Sequence, residues 1–214
     1  KIKFCWENSE FVIDLGLFGK FQAQNVLSTL ACINILEDVP SKKIEDLINY
    51  VSKLKTVPGR MEKVASKKNG AEIFVDFAHT PSALEAVLKS IRCHFIGDIY
   101  LVFGAGGNRD VGKRSIMGKI ASKLSDHVFV TDDNPRFEKP SKIRSQILKS
   151  CPNAIEIADR SEAILTAVNL LKKGDALIIA GKGHENLQIY KDNQYPFNDA
   201  EEASFALQTL EDKF

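Results

Sequence analysis

From Val57 onward, short apolar runs alternate with stretches of helical length, and this alternation narrows the possible architectures more than any other feature of the chain. Strand-like runs fall at 72–76, 98–103, 127–131, 154–157 and 176–180. Segments with helical character fall at 81–92, 114–124, 141–149, 160–172 and 199–212. Pro81 after Thr80, and Ser141 after Pro140, mark helix starts. Asp199, Glu201 and Glu202 place acid where a helix N-terminus favours it. Strands alternating with helices of this length imply an α/β fold with a Rossmann-like, doubly wound, mostly parallel sheet.

The first 57 residues read differently. Residues 2–6 and 11–13 suggest a hairpin, and 21–36 and 44–54 carry helical spacing of apolar residues. One hairpin and two helices make a poor domain alone. The expectation is that 1–57 is the end of a larger domain begun upstream. Apolar residues make up 44% of the chain, enough for a real core. Lys and Arg total 29 against 28 for Asp and Glu, so no global field favours nucleic acid or an anionic membrane. Cys5, Cys32, Cys93 and Cys151 form no C-x-x-C pair, which disfavours a disulfide framework or a zinc site. No apolar run approaches a membrane span and no signal-peptide pattern opens the chain, so a cytoplasmic location is expected.

In an open α/β sheet, ligands bind beyond the carboxyl ends of the strands. Here those ends read Asp76 to Pro81, Gly104 to Asp110, Asp132 to Arg136 and Gly181 to Glu185. Each is polar or glycine-rich, more so than a plain connection requires. The run Asp133-Asn134-Pro135-Arg136 sets a guanidinium beside a proline-stiffened turn, which suits a two-point grip on a carboxylate. Four such loops on one sheet edge suggest a site for a small zwitterion. The second loop also carries two partial motifs. Gly104-x-Gly106 opens a dinucleotide fingerprint, but Arg109 stands where the third glycine belongs. Gly107 to Lys113 begins a Walker A pattern, but Arg114 replaces the hydroxyl that would hold Mg²⁺.

Blander readings stand beside these. Arg109 and Arg136 can equally pair with Asp110, Asp132 or Asp133 as surface bridges. Asn134 suits a turn, His79 a cap or core position, and Lys182 a solvated surface. His94 and His127 have no polar company in the sequence and are assigned no role.

The loops occur together, in this order, in one known family. Gly59-Arg60-Met61-Glu62, Val75 to Pro81, Val102 to Asp110, Thr131 to Arg136 and Ala180 to Glu185 resemble the Mur ligases, and most closely their diaminopimelate-adding members. Leu17 to Phe21 with Asn25, and Pro196 to Asp199, resemble further family segments. Gln22 departs from the usual asparagine, and Phe77 from a common tyrosine.

The resemblance implies the end of a central ATPase domain over 1–57 and a C-terminal, amino-acid-binding domain over 58–214. It implies an ATP-dependent ligation, through an acyl phosphate, of meso-diaminopimelate to UDP-N-acetylmuramoyl-L-alanyl-D-glutamate. Arg109, Asp133, Asn134, Pro135, Arg136, Gly181 and Glu185 would line the diaminopimelate pocket, with Asp133 and Glu185 suiting its ammonium and the arginines its carboxylates. Asn25, Arg60, Asp76 and His79 would lie around ATP. The Walker A loop and the Mg²⁺ ligands would lie upstream, with the missing domains as partners, so this piece alone is expected not to ligate. Val57-Pro58-Gly59 would be a hinge for closure. The rival readings are a lysine-adding ligase and a non-catalytic amino-acid-binding module.

Overall fold

Every residue of Ile99–Phe103 and Ala176–Ala180 is buried, as expected of strands in the middle of a sheet covered on both faces. The computed structural model in which they lie describes residues 2–6, 9–37 and 41–212. The chain forms two units, Lys1–Thr56 and Val57–Phe214, so Val57 goes with the second unit, one residue from the expected boundary.

In the first unit, β1 (Ile2–Trp6) and β2 (Ser9–Ile13) pair antiparallel, with Ile2 opposite Ile13. Two helices follow, α1 (Lys20–Glu37) and α2 (Ser41–Val51). Val26 and Leu30, one turn apart on α1, pack with Ile13, Ile48 and Val51. Ile35 and Leu36 at the end of α1 remain about four-fifths exposed, at 79% and 83%.

The second unit begins with β3 (Glu62–Ser66) and β4 (Glu72–Asp76). Then come α3 (Pro81–Arg92), β5 (Ile99–Phe103), α4 (Gly112–Leu124), β6 (His127–Val130), α5 (Pro140–Leu148) and β7 (Ile155–Glu156). It closes with α6 (Arg160–Leu170), β8 (Ala176–Ala180), the hairpin β9 (Leu187–Tyr190) and β10 (Asn193–Pro196), and α7 (Asp199–Glu211). The main sheet has the order β3-β4-β8-β5-β6-β7. Strands β4, β8, β5, β6 and β7 are parallel, and β3 pairs antiparallel with β4 through a bulge between Lys63 and Ala65. The sheet is therefore the expected mostly parallel one, with an antiparallel edge that the sequence reading did not anticipate.

Alternation of side chains divides the core. Ile73, Val75, Tyr100, Val102, Phe129, Leu177 and Ile179 meet Ala163, Ile164, Ala167 and Val168 of α6 and Ala203 and Ala206 of α7. The intervening Phe74, Leu101, Phe103 and Ile178, also buried, point to the opposite face, where α3, α4 and α5 pack side by side. The chain moves outward from β4 to β7 with helices on one face, then returns through α6 on the other to insert β8 between β4 and β5. That reversal opens a crevice at the carboxyl ends of the central strands.

Caps explain where the helices begin. Thr80 Oγ1 accepts the Ala83 N–H and Pro81 takes the first helical position of α3. Asn198 Oδ1 accepts the N–H groups of Ala200 and Glu201 at the start of α7. Asp199 stands in the first turn of α7, as read from the sequence, and is in addition wholly buried against Arg160.

Candidate binding cleft

A cleft of about 710 Å³ opens at the carboxyl ends of β4, β5, β6 and β8. Each of the four loops picked out in the sequence contributes to its wall. Among the expected site residues, Arg109, Asp133, Asn134, Arg136, Gly181, Glu185 and His79 line it. Pro135 sits behind the wall, where its carbonyl accepts the Glu138 N–H at 3.1 Å.

The loops after β5 and β6 are stitched together. Gly107 N–H donates to Asn134 O at 2.9 Å, and Asn108 Oδ1 accepts the Phe137 N–H at 3.0 Å. Arg136 Nη1 donates to the carbonyls of Gly107 and Asn134, at 3.0 and 3.4 Å. Arg136 itself adopts a left-handed backbone, with φ of 51°. Its N–H donates to Ile189 O and its carbonyl accepts the Lys191 N–H, so β9 holds the turn open from outside. Arg109 is exposed on the neighbouring loop. Among the described residues neither guanidinium is ion-paired, so the surface-bridge alternative does not hold. Asp132 is taken instead by Arg144 and by the Tyr190 hydroxyl.

Asn134 is a hub rather than a simple turn former. Its Oδ1 accepts from Lys182 Nζ and from the Ile189 N–H, both at 3.0 Å. Those two donors orient the amide, and its Nδ2 then donates to Glu185 Oε2 at 2.9 Å. Lys182 is fully buried, not solvated, and also donates to Leu187 O at 2.7 Å. Burial lowers its pKa, while Asp133 and Glu185 favour its charged form. Gly181 has a φ of +119°, and a Cβ there would lie 2.8 Å from Asp133 Oδ2. Glycine is required at that strand end on both counts.

The residues expected around ATP are more scattered. Asp76 is buried and both its oxygens are occupied, by the N–H groups of Met61 and Ala78, each at 2.8 Å. Burial raises its pKa against those two bonds and the nearby Arg60. The Arg60 guanidinium lies 4.4 Å from the centre of the Phe77 ring, against which His79 packs edge-on at 4.5 Å. Asn25 is in the first unit, on the exposed side of α1, and its amide donates to Gln22 Oε1. Among the described residues no group of three or more His, Cys, Asp or Glu is placed to hold a metal. No helix is long and apolar enough to cross a membrane.

Several contributors escaped the sequence reading. Arg114, wholly buried, and Glu138, half-buried, form a brace behind the loops, and Gln188 Nε2 donates to Asp133 O at 3.0 Å from β9. Lys113 lines the cleft and donates to His79 O at 2.9 Å. His127 does have polar company, Asp98 at 3.1 Å, and stacks on Tyr100 at the amino end of β6.

The mostly parallel sheet carries a cleft lined by charges of both signs at its switch point, and residues 59–183 match the family model described as Mur ligase, glutamate ligase domain. The chain belongs to the Mur ligase family. It is 47% identical over 197 residues to a Brucella melitensis protein named UDP-N-acetylmuramoyl-L-alanyl-D-glutamate–2,6-diaminopimelate ligase, covering 92% of this chain and 40% of that protein. A Rickettsia bellii protein of the same name is 47% identical over 210 residues, covering 96% and 42%. A solved structure of a ligase of that name superposes with a TM-score of 0.72 at 34% identity, covering 94% of this chain and 41% of that one. UDP-N-acetylmuramate–alanine ligase from Thermotoga maritima, at 16% identity and a TM-score of 0.66, shares the fold. The chain thus spans about 40% of the length of the curated relatives it matches.

Proposed function

We propose that the cleft binds meso-diaminopimelate, and that the chain is the amino-acid-delivering part of an ATP-dependent ligase joining it to UDP-N-acetylmuramoyl-L-alanyl-D-glutamate. The observation that carries this reading is the pair of guanidiniums, Arg109 and Arg136, lining one cleft without an ionic partner among the described residues, together with Asp133 and Glu185. Diaminopimelate has one more carboxylate than lysine. Desolvating that group is unfavourable unless a charged donor receives it, and a guanidinium does so with two parallel N–H bonds. Asp133 and Glu185 suit the ammonium at the same end. The names of the relatives support the same substrate.

On this reading residues 1–57 end the central domain and 58–214 form the amino-acid-binding domain, with Arg60 and His79 on the side that meets ATP. ATP would supply the phosphoryl group that activates the acceptor carboxylate. This chain's own part is to bind and orient the incoming amine. The protein would work in the cytoplasm, with Mg²⁺ held outside this chain.

Calorimetry on the 214-residue chain with meso-diaminopimelate and with L-lysine tests the reading. Arg136→Ala is expected to weaken diaminopimelate binding about ten- to hundredfold, the loss typical of a charge-assisted contact, and to change lysine binding little. Equal affinity of the unmodified chain for both ligands would favour a lysine-adding ligase. No binding of either would remove the amino-acid assignment.

A further inference from the structure

We propose that Arg114 and Glu138 form the brace that sets the spacing of the two arginine-bearing loops, and thereby the cleft's preference for an amino acid with a second carboxylate. The inference rests on the diaminopimelate reading of the cleft. Arg114 occupies the position that makes the Gly107-to-Lys113 run fail as a phosphate loop, and the structure gives it a different task. Its side chain is wholly buried. Nη1 and Nη2 each donate to the Glu138 carboxylate at 2.8 Å, a two-point pairing. Nη1 also donates to Gln146 Oε1 at 2.7 Å, on α5, and Nη2 to Gly106 O at 3.1 Å. Glu138 Oε1 accepts the Asn108 N–H at 2.6 Å.

The ion pair therefore bonds the backbone of the loop after β5 at Gly106 and Asn108, and Glu138 ties that loop to its own, the one after β6. Gly106 and Asn108 lie three residues and one residue before Arg109, and Glu138 lies two residues beyond Arg136. Neither Arg114 nor Glu138 lines the cleft. They are positioning residues, acting on the ligand only through the loops. Of the other links between the loops, the side-chain bond from Arg136 Nη1 to Gly107 O uses the very guanidinium that would face the ligand. The brace leaves that group available while keeping its loop in register. A lysine at 114 would retain the charge but not the planar fork that reaches four acceptors.

The test compares the unmodified chain with Arg114→Lys, Arg114→Met and Glu138→Gln. Calorimetry gives the ratio of affinities for meso-diaminopimelate and L-lysine. Amide hydrogen exchange follows Gly107 and Asn108 against Val102 within β5. Both Arg114 variants are expected to lower the ratio about tenfold, one charge-assisted contact's worth. Protection of the Gly107 and Asn108 amides is expected to fall by a similar factor while that of Val102 is kept. Glu138→Gln should fall between, and its half-buried position lets it carry both readouts if an Arg114 variant fails to fold. Unchanged ratio and unchanged loop protection would overturn the proposal. So would equal loss for both ligands with Val102 protection falling alongside, which is the signature of general destabilisation. An unmodified chain that binds neither ligand would overturn the cleft assignment and the selectivity role, while exchange at Gly107 and Asn108 would still decide whether the brace holds the loops.

Discussion

Arg114, Arg160 and Lys182 are fully buried cations, and each is offset differently. Arg160 pairs with Asp199 through two bonds of 2.7 and 2.8 Å and caps Ala180 O, which fixes the end of β8 beneath the cleft. Lys182 has a neutral amide and a carbonyl as nearest acceptors, with Glu185 at 3.5 Å. Arg114 holds the Glu138 carboxyl at about 2, well below its ordinary 4.5, chiefly by direct hydrogen bonding. A carboxyl depressed in the folded state contributes stability that is complete above its unfolded pKa and is lost as pH falls toward its folded one. The Glu138 contribution is therefore full above about pH 4.5 and fades toward about pH 2. Glu138→Gln should be less stable than the unmodified chain near neutrality, with the gap narrowing on acidification. Urea midpoints measured at about pH 6 and about pH 3 check this. A gap that stays constant would mean the carboxylate charge adds nothing.

Among the elements, the β9–β10 hairpin has the least obvious task. It lies outside the main sheet, yet β9 bonds the backbone of Arg136 on both sides and donates from Gln188 to Asp133. It works as a splint for a turn whose arginine sits in a left-handed conformation. The loop after β5 is held from the other side by close approach at Gly107, where a Cβ would meet Pro135 O at 1.8 Å. Backbone must shift to admit any side chain there. Gly107→Ala is expected to destabilise by about 1–3 kcal/mol and to separate the two arginines, weakening diaminopimelate binding. Gly16→Ala in the first unit, where nothing lies within 4 Å, should cost less than about 0.5 kcal/mol. Equal effects of the two substitutions in denaturant melts would remove the close-packing argument.

For the whole molecule, the larger core runs from Ala71 to Ala206 and the cleft from Phe77 to Glu185, so both lie within the second unit. Residues 57–214 are expected to unfold cooperatively on their own and to bind diaminopimelate within about threefold of the 214-residue chain, since additivity holds for distant, independent parts. Calorimetry on that shorter chain checks the expectation, and a much larger loss would show that the first unit shapes the cleft. Periodicity alone located each strand from β4 to β8 and each helix from α3 to α7 within one or two residues, because apolar spacing reports burial directly. It missed β3, β9 and β10, whose edge positions leave them too polar or too short to signal.

The order of the polar loops after those strands was likewise legible, and with it the family and the cleft-lining residues Arg109, Asp133, Arg136 and Glu185. Which charges face the cleft and which are sealed behind it was not. A charged side chain looks the same in a sequence whether water or a distant carboxylate solvates it, and Arg114 meets Glu138 only because α4 and the loop after β6 come together in space. The pattern of apolar residues thus settled the scaffold, while long-range pairing of buried polar groups decided how its loops are held.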